Sequence, residues 1–332
     1  MAVTIYDLAR EAHVSIATVS KALNNHYSVS EATKERIRAL AEEMNYRPNA
    51  RARSFARQKN GVVIFAADLF QGVGFQNPHM FEIMTGVERY LDRKGYSLLL
   101  KHVPQNMAPD LVRGLMMSEQ ADGIILHAGI LSRPLANVLM KEALPHLVIG
   151  KPDFPCQLSW MDISHEAAGQ LAANYLLDKG YRRIVFMMGD AQEDQISARR
   201  LCGLLDALVE EELPIETVDG AVSYDASRTL TEELLMRPKI PEVILCTNNY
   251  LAMGCLQSIR AKGLQVPRDI ALMTFDNYPF SMIVQPTLTA IEVDMYEMGW
   301  DAARFMLQKI RKPTLQTQSY CTTPTIVERE ST

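Results

Sequence analysis

One short segment carries side chains that could read the edges of base pairs. At about 100° per residue, as in an α-helix, residues 16–24 divide into two faces. The outer face holds Ile16, Ala17, Ser20, Lys21 and Asn24. Apolar side chains can contact thymine methyl groups, and hydroxyl, ammonium and amide groups can bind bases or phosphates. A face that only meets water would rarely carry an isoleucine, so this pattern favours a surface that enters the major groove.

Three short helices must position this face. Apolar residues recur at helical spacing in residues 5–12, 16–23 and 31–44, and the residues suited to cap their amino ends are Thr4, Ser15 and Ser30. The inner face of the second helix is formed by Thr18, Val19, Ala22 and Leu23. Two helices joined by a tight turn, with the second one exposed, make a helix-turn-helix. A three-helix bundle that contacts other proteins is the alternative that this pattern leaves open.

The charge of the chain is unevenly distributed. Residues 1–60 contain ten Lys and Arg and six Asp and Glu, a net charge of +4, whereas the other residues carry −9 of the total of −5. The segment between Asn45 and Asn60 holds no acidic residue and five basic ones, namely Arg47, Arg51, Arg53, Arg57 and Lys59. This asymmetry suggests a nucleic-acid-binding head on an acidic body.

The composition is that of a globular protein of two or three domains. The chain has 332 residues, of which 48% are hydrophobic and 22% charged. It has no apolar run of the ~18 residues that a membrane span needs and no signal-peptide core near its start, so we expect it in the cytoplasm. Five scattered cysteines argue against a disulfide framework or a cysteine zinc site.

From Gly61 onward, short β-rich segments alternate with helical ones. Buried parallel strands are predicted at residues 62–66, 97–101, 123–127, 147–150, 184–188, 243–246 and 270–275. Helices are predicted at residues 81–94, 110–119, 133–142, 165–179, 197–211, 226–236 and 250–262. The alternation of strands and helices starts again in the second half of the chain. This repetition indicates two doubly wound parallel-sheet subdomains with a cleft between them. Strand-like segments at residues 288–292 and 319–328 indicate that the chain crosses back more than once.

Longer motifs run through both parts of the chain. The first part carries VTIYDLAREAHVSIATVSKALN, VSEATKERI and NYRPNARARSFA, and the body carries ADGIIL, SARRLCG, TNNYLAMG and MTFDN, among others. These motifs resemble the LacI/GalR family of transcription regulators. The resemblance implies an α/β protein with an N-terminal all-α helix-turn-helix headpiece and a periplasmic-binding-protein-like body of two doubly wound parallel-sheet subdomains.

The resemblance also implies a domain organisation. Residues 1–48 would form the headpiece, residues 49–60 a hinge helix or linker, and residues 61–332 the effector-binding and dimerisation domain. Within that domain, the N-subdomain would take about residues 61–160 and 291–318. The C-subdomain would take about residues 161–288 and 319–330.

Roles in DNA binding follow for residues of the headpiece and the hinge. The base-reading positions would be Ile16, Ala17 and Lys21. Contacts to phosphates or neighbouring base edges would come from Thr4, Tyr6, Ser15, Thr18, Ser20, Asn24 and Thr33, and in the hinge from Asn49, Arg51 and Arg53. Phe55 stands where family members insert a leucine into a minor-groove step. The alternative is a hinge that only links, with Phe55 packed on the body. His13 replaces a glycine that is usual in the turn.

In the body, the resemblance implies an effector site between the subdomains, outside the carboxyl ends of the strands. Its candidate residues are His79, Met80, Arg200, Asn248 and Asp276. Arg200 would present a rigid fork of donors to hydroxyl, carboxylate or phosphate groups. Asp276 would accept from vicinal hydroxyls or a ring N–H.

Departures from the family pattern leave the effector open. Ala221 stands where an aromatic ring is often found, and Asn249 replaces an aspartate, which removes a charge near the cleft mouth. Trp160 and Phe75 could supply aromatic surface, and residues 70–78 could form a lid. Family frequency favours a carbohydrate inducer over a nucleobase or other non-sugar corepressor.

No motif in the sequence supports catalysis. We expect no enzyme activity, no metal and no cofactor, because the motifs of serine hydrolases, P-loops and zinc proteases are missing from the sequence. Three classes of protein remain. The first is a ligand-responsive repressor that binds a pseudo-palindromic operator as a homodimer, with a tetramer left open. The others are a solute-binding protein of the same body fold and an enzyme with a borrowed DNA-binding head; the headpiece favours the repressor.

Overall fold

The structure is a computed structural model that describes residues 3–23, 25–44, 46, 60–69, 78–118, 120–142, 144–189, 194–209, 211–313, 315 and 319–332. The chain forms two compact units, Met1–Gly61 and Val62–Thr332. The predicted DNA contacts Asn24, Asn49, Arg51, Arg53 and Phe55 lie outside the described residues, as do residues 70–77 of the predicted lid. None of the helices within the described ranges is both long and apolar enough to cross a membrane.

The described residues of the first unit form three helices around one small apolar core. These are α1 (Ile5–Glu11), α2 (Ile16–Leu23) and α3 (Glu31–Glu43), and each agrees with its prediction to within one residue. Leu8, Val19 and Ile37, one from each helix, are completely buried. Thr4 and Ser30 cap α1 and α3 with their side chains, as predicted. The spacing of apolar residues was therefore sufficient to define the helix-turn-helix arrangement.

The turn between α1 and α2 contains a strained residue. His13 has φ 51°, in the left-handed region that glycine occupies at little cost. We expect His13→Gly to stabilise the headpiece locally by about 0.5–1 kcal/mol, because relief of strain outweighs the greater freedom of glycine in the unfolded chain. Hydrogen exchange in the full-length protein should show two- to fivefold greater protection of the α2 amides, on the order of that free energy. His26→Gly, at a residue without a positive φ, is the control and should lower protection.

Helices and strands alternate along the second unit. Its first part contains β1 (Val62–Ala67), α4 (Pro78–Arg93), β2 (Ser97–His102), α5 (Ala108–Met117), β3 (Gly123–His127), α6 (Arg133–Lys141), β4 (His146–Ile149) and β5 (Trp160–Ile163). Its second part contains α7 (His165–Asp178), β6 (Ile184–Met187), α8 (Gln195–Val209), β7 (Glu216–Val218), α9 (Tyr224–Leu234), β8 (Val243–Cys246), α10 (Asn249–Ala261), β9 (Ala271–Phe275), α11 (Phe280–Ile283) and β10 (Thr289–Glu292). The last elements are α12 (Met295–Arg311), β11 (Tyr320–Thr322) and β12 (Thr325–Val327).

Within the described ranges, the strands form two six-stranded sheets, in the orders β11-β5-β4-β3-β1-β2 and β12-β10-β9-β8-β6-β7. Neighbouring strands pair in parallel, except that β12 runs antiparallel to β10. Apolar clusters cover both faces of each sheet: Val63 and Phe65 of β1 pack into one cluster, and Ile64 and Ala66 into the other. Two doubly wound parallel-sheet subdomains were predicted from the alternating pattern, and the structure confirms them.

Four of the helices and strands were not predicted, namely β5, β7, α11 and α12. β5 has the sequence WMDI, in which Asp162 interrupts the apolar run, and β7 has three largely exposed residues. The long helix α12 packs on α4 so closely that a Cβ at Gly299 or Gly86 would overlap carbonyl oxygens of the opposite helix. α12 completes the first subdomain although it follows the second along the chain. The family resemblance assigned residues 291–318 to the N-subdomain, but no helix was predicted within them.

The edge strand β2 is not buried, contrary to its prediction. It is the last strand of the first sheet, and Leu99 and Leu100 are exposed. An exposed strand edge with apolar side chains is a surface suited to a protein contact.

The crossings between the subdomains shift the predicted boundaries. β5 pairs with β4, so residues 161–163 belong to the first sheet. β11 pairs with β5, so residues 320–322 also belong to the first sheet, and β12 then returns to the second. β10 pairs with β9, which places residues 291–292 in the second sheet. Because strand pairing decides membership, the predicted limits of both subdomains were wrong at these three points.

Candidate DNA-binding face and effector cavity

The outer face of α2 is exposed, as its spacing predicted. Ile16 has 39% of its surface exposed, and Ala17 and Lys21 are exposed beside it. Tyr6 is 69% exposed and Ser20 is half-buried. The three candidate base-reading residues therefore share one accessible face, which carries both apolar and charged groups, the kinds that can contact base edges in the major groove.

Three of the hydroxyl residues predicted to contact the DNA backbone, Ser15, Thr18 and Thr33, stand at helix amino ends. Ser15 Oγ accepts from the Thr18 N–H at 3.1 Å and lies 2.8 Å from Thr18 Oγ1. Ser30 and Thr33 repeat this arrangement, with 2.8 Å between their hydroxyl oxygens. One hydroxyl proton serves each pair, which leaves the second proton to donate to a phosphate oxygen. Helix amino ends also favour anions through their backbone N–H groups.

A cavity of about 560 Å³ lies between the two sheets of the body, at the carboxyl ends of their strands. Its wall includes all five candidate effector residues, namely His79, Met80, Arg200, Asn248 and Asp276. His79 and Met80 stand in the first turn of α4, which begins three residues earlier than predicted. Asp276 directly follows β9, and Asn248 caps α10 by accepting from the Leu251 N–H at 3.1 Å.

Arg200 is held in the cavity wall by helix packing and by three partners. It lies on α8, which crosses α7 so closely that a Cβ at Gly203 would overlap the carbonyl oxygen of Glu166. The guanidinium donates to Thr247 O at 2.7 Å and to Asp276 Oδ1 at 3.1 Å. It also lies 4.4 Å from the centre of the Phe275 ring. These contacts fix the donor fork against the candidate acceptor Asp276.

Asp276 connects the two subdomains. Its Oδ1 lies 2.9 Å from His79 Nε2 of the first subdomain, at ion-pair distance but not aligned for a hydrogen bond. The backbone N–H of His79 donates to Tyr278 Oη at 3.2 Å, and the centres of the His79 and Tyr278 rings lie 4.7 Å apart. Burial raises the pKa of Asp276, but the charges of His79 and Arg200 outweigh it and hold the pKa at about 2. The carboxylate is therefore ionised at neutral pH.

A second polar cluster in this cavity was not predicted from the sequence. Asp162 Oδ2 accepts from the Lys151 N–H at 2.9 Å and from Arg199 Nη1 at 3.0 Å, and His165 Nε2 lies 3.7 Å from Oδ1. Burial raises the pKa of Asp162, but His165, the Lys151 N–H and Arg199 outweigh it and hold the pKa at about 2. Asp162 lies on β5 of the first sheet and Arg199 on α8, so this ion pair also crosses the cleft. The one signal in the sequence was a carboxylate inside an apolar strand.

Asn249 does not lie at the cleft mouth, contrary to the prediction. It is completely buried, and its Nδ2 donates to the carbonyl oxygens of Phe275 and Asp276. Its Oδ1 accepts from Ser281 Oγ at 2.6 Å. An ionised aspartate could not donate to those carbonyls, so the amide supports the chain where Asp276 adopts φ 73°.

The aromatic surface of the cavity differs from the one predicted. Ala221 and Trp160 pack in apolar cores of the second and first subdomains. Phe75 lies outside the described residues. Tyr250 and Tyr278 line the cavity instead. Within the described ranges, no three His, Cys, Asp or Glu side chains converge as metal ligands would.

A helix-turn-helix head and a two-subdomain body with a cavity at the strand ends define a class of ligand-responsive regulators. Comparisons with known proteins agree with this class. Residues 4–49 match the model for bacterial regulatory proteins of the lacI family. Residues 173–332 match the periplasmic binding protein-like domain.

Relatives and solved structures cover nearly the whole chain. Catabolite control protein A of Priestia megaterium is 31% identical over 320 residues, 95% of each chain. The ribose operon repressor of Escherichia coli strain K12 is 31% identical over 339 residues, 99% of each chain. The lac repressor bound to ONPG in its repressed state superposes with a TM-score of 0.82 at 24% identity and covers both chains completely. A CelR–cellobiose complex gives a TM-score of 0.71 at 25% identity, over 99% of this chain and 100% of that one.

The chain belongs to the LacI family of bacterial regulatory proteins. It is a DNA-binding transcription regulator with a ligand-binding body, as the motifs predicted, and it is not an enzyme.

Proposed function

We propose that this protein is a homodimeric repressor that binds a pseudo-palindromic operator and responds to a small neutral carbohydrate bound in the body cavity. The observation that carries the proposal is the cavity wall, where hydrogen-bonding groups from both subdomains surround one space and their main charges are paired. Arg200 is paired with Asp276, and Arg199 with Asp162. Paired charges suit hydroxyl groups, which both donate and accept, better than they suit a charged ligand.

The operator part of the proposal rests on the exposed face of α2. One small head reads few base pairs, so two heads related by twofold symmetry would require two half-sites in inverted orientation. Ile16 and Ala17 would contact thymine methyls, and Lys21 would reach a base edge or a phosphate.

Dimerisation through the first subdomain is supported by exposed apolar residues on consecutive elements. Phe81 of α4, Leu99 and Leu100 of β2, and Leu111 and Met117 of α5 are all exposed. A second copy of the chain would cover this surface. Sedimentation of the purified protein at micromolar concentration should therefore give the mass of a dimer.

The carbohydrate part of the proposal draws on relatives as well as on the cavity. One relative is a ribose operon repressor, and a structural neighbour is a CelR–cellobiose complex. Asp276 and Asn248 offer acceptor and amide groups to vicinal hydroxyls, and Tyr250 and Tyr278 offer ring surface. Ligand binding would change the relative orientation of the two subdomains. A coupling free energy of about 1–3 kcal/mol between effector binding and operator binding would suffice to switch operator affinity.

The test begins with selection of an operator from random duplex DNA by the full-length protein. Fluorescence anisotropy then measures operator affinity with and without each member of a panel of sugars, sugar phosphates, polyols and nucleobases. We expect one neutral sugar to change operator affinity by about 5–150-fold. A response only to a nucleobase would favour the corepressor alternative, and selection that recovers no common sequence would contradict a role as a specific regulator.

We expect Phe55→Ala to weaken operator binding by about tenfold or more, while binding to an unrelated duplex changes little. A side chain that unstacks a base step contributes only where the site bends, whereas the basic residues near it attract any phosphate. Anisotropy titrations of the selected operator and of a scrambled duplex at one salt concentration measure both affinities. An equal loss on the two duplexes would contradict an inserted Phe55 and favour a hinge that is only a linker.

A further inference from the structure

His165 is a buried polar residue in the cavity wall whose hydrogen bonding is incomplete. It is the first residue of α7, lines the cavity with Asp162 and Arg199, and is only 2% exposed. Its Nδ1 atom is buried and has no hydrogen-bond partner among the residues that the structure describes. Burying such an atom without a partner is unfavourable. In the wall of a ligand cavity, it points to a ligand atom that completes the site.

The surroundings of the ring determine which nitrogen carries the proton. His165 Nε2 lies 3.7 Å from Asp162 Oδ1, and an ionised carboxylate can only accept. Burial lowers the pKa of His165, and the Arg200 and Arg199 charges add to this effect against the opposing effect of Asp162. The ring is therefore neutral at about pH 7, with its one proton on Nε2 toward the carboxylate. Nδ1 is then an acceptor, and the partner that it lacks is a hydrogen-bond donor.

The charges around His165 decide which donor suits the site. Asp162 Oδ2 lies 3.0 Å from Arg199 Nη1, so the negative charge of Asp162 and the positive charge of Arg199 balance each other. An ionised phosphate or carboxylate brings no proton to Nδ1 and would approach the carboxylate of Asp162. A hydroxyl group can donate to Nδ1 and accept from a neighbouring donor without adding charge.

We propose that His165 is a further effector-binding residue, and that its Nδ1 accepts a hydrogen bond from a hydroxyl group of a neutral polyhydroxylated ligand. With Asp162 and Arg199 it forms a second polar subsite, in addition to the one around Arg200 and Asp276. β5, which carries Asp162, belongs to the first subdomain, and α7 and α8 belong to the second. A ligand at this subsite contacts both subdomains, so its affinity can depend on the relative orientation of the two subdomains. The inference rests on the proposed function, because it adds a residue to the same cavity.

Calorimetric titration of the full-length protein with D-ribose, D-glucose and cellobiose tests the role of His165. His165→Leu removes the acceptor, and His165→Asn keeps an acceptor near the position of Nδ1. The sugar that binds the unchanged protein should bind about tenfold more weakly to His165→Leu and less than about threefold more weakly to His165→Asn. Thermal unfolding without sugar shows whether each variant is folded. If His165→Leu does not fold, the comparison of His165→Asn with the unchanged protein still tests the proposal.

The ligand provides an independent check. Among the monodeoxy forms of that sugar, the one without the hydroxyl bound by Nδ1 should bind the unchanged protein about tenfold more weakly. The same analogue should lose nothing further on His165→Leu, because the substitution and the missing hydroxyl remove one interaction. Losses that multiply would show that the hydroxyl and His165 do not meet, and would overturn the proposal.

The failure of this inference can be distinguished from that of the proposed function. Unchanged sugar binding by His165→Leu, together with a loss by Arg200→Ala, would overturn the role of His165 and leave the effector cavity in place. Unchanged binding by Arg200→Ala would overturn the effector cavity itself. Binding of the phosphorylated sugars alone, or of none of the neutral sugars, would overturn the assignment of a neutral ligand.

Discussion

Replacing Arg200 by methionine is expected to lower the free energy of unfolding of the body by about 3–5 kcal/mol and to remove effector binding. The guanidinium donates to Thr247 O and to Asp276 Oδ1 and lies over the Phe275 ring. Without it, an ionised carboxylate remains buried and loses a charged donor. Methionine restores apolar volume but neither hydrogen bond.

Urea unfolding followed by circular dichroism measures this loss. Arg260→Met, at an exposed arginine of α10, is the matched control and should stay within about 0.5 kcal/mol of the unchanged protein. The double variant Arg200→Met with Asp276→Asn also removes the buried charge and should recover part of the stability. A loss below about 1 kcal/mol for Arg200→Met would show that this ion pair does not hold the cavity wall together.

Local patterns predicted most of the fold because most of its elements have local causes. The two faces of α2 follow from the spacing of eight residues, and the parallel strands follow from short apolar runs between turn residues. The crossings have no such cause. Tyr320–Thr322 belongs to the first sheet because it pairs with β5. β5 was not predicted as a strand because Asp162 interrupts its apolar run. A strand belongs to a sheet because it pairs with a neighbouring strand, and the sequence of one segment does not show which strand that is.

The candidate site divides in the same way. Arg200 and Asp276 were found because their motifs resemble those of a known family, and the structure brings them within hydrogen-bond distance. The cluster of Asp162, His165 and Arg199 comes from three elements of two subdomains, so it exists only once the cleft has formed. Asn249 shows the converse: it directly follows the cavity residue Asn248, but it begins α10 with its side chain turned into the interior. Proximity in sequence did not place it in the cavity.

Acidification is expected to destabilise the body by about 4 kcal/mol between about pH 5 and pH 2. Asp162 and Asp276 have pKa values of about 2 in the folded protein, against about 3.9 for an aspartate in an unfolded chain. In this interval the unfolded chain binds protons that the folded chain does not. Each carboxylate therefore contributes about 2 kcal/mol of stability that is present above its unfolded pKa and is lost as the pH falls through the folded pKa of about 2.

Three histidines begin the same loss at higher pH. Burial lowers the pKa values of His127, His146 and His165 below the usual 6.5. As the pH falls below about 7, the unfolded chain binds protons at these rings before the folded chain does. The free energy of unfolding should therefore start to decline near neutral pH and decline more steeply below about pH 5, where the two aspartates add their effect.

Urea unfolding at a series of pH values, with Asp162→Asn beside the unchanged protein, separates the carboxylates from the histidines. The amide does not titrate, so this variant should be less stable at about pH 7 but should lose about 2 kcal/mol less between about pH 5 and pH 2. Asp92→Asn, at an exposed residue near the end of α4, is the matched control variant. Parallel profiles for Asp162→Asn and the unchanged protein would mean that the folded state does not hold the Asp162 pKa low. In that case Arg199 and the Lys151 N–H would not stabilise a charge across the cleft, and the second polar cluster could not act as a link between the subdomains.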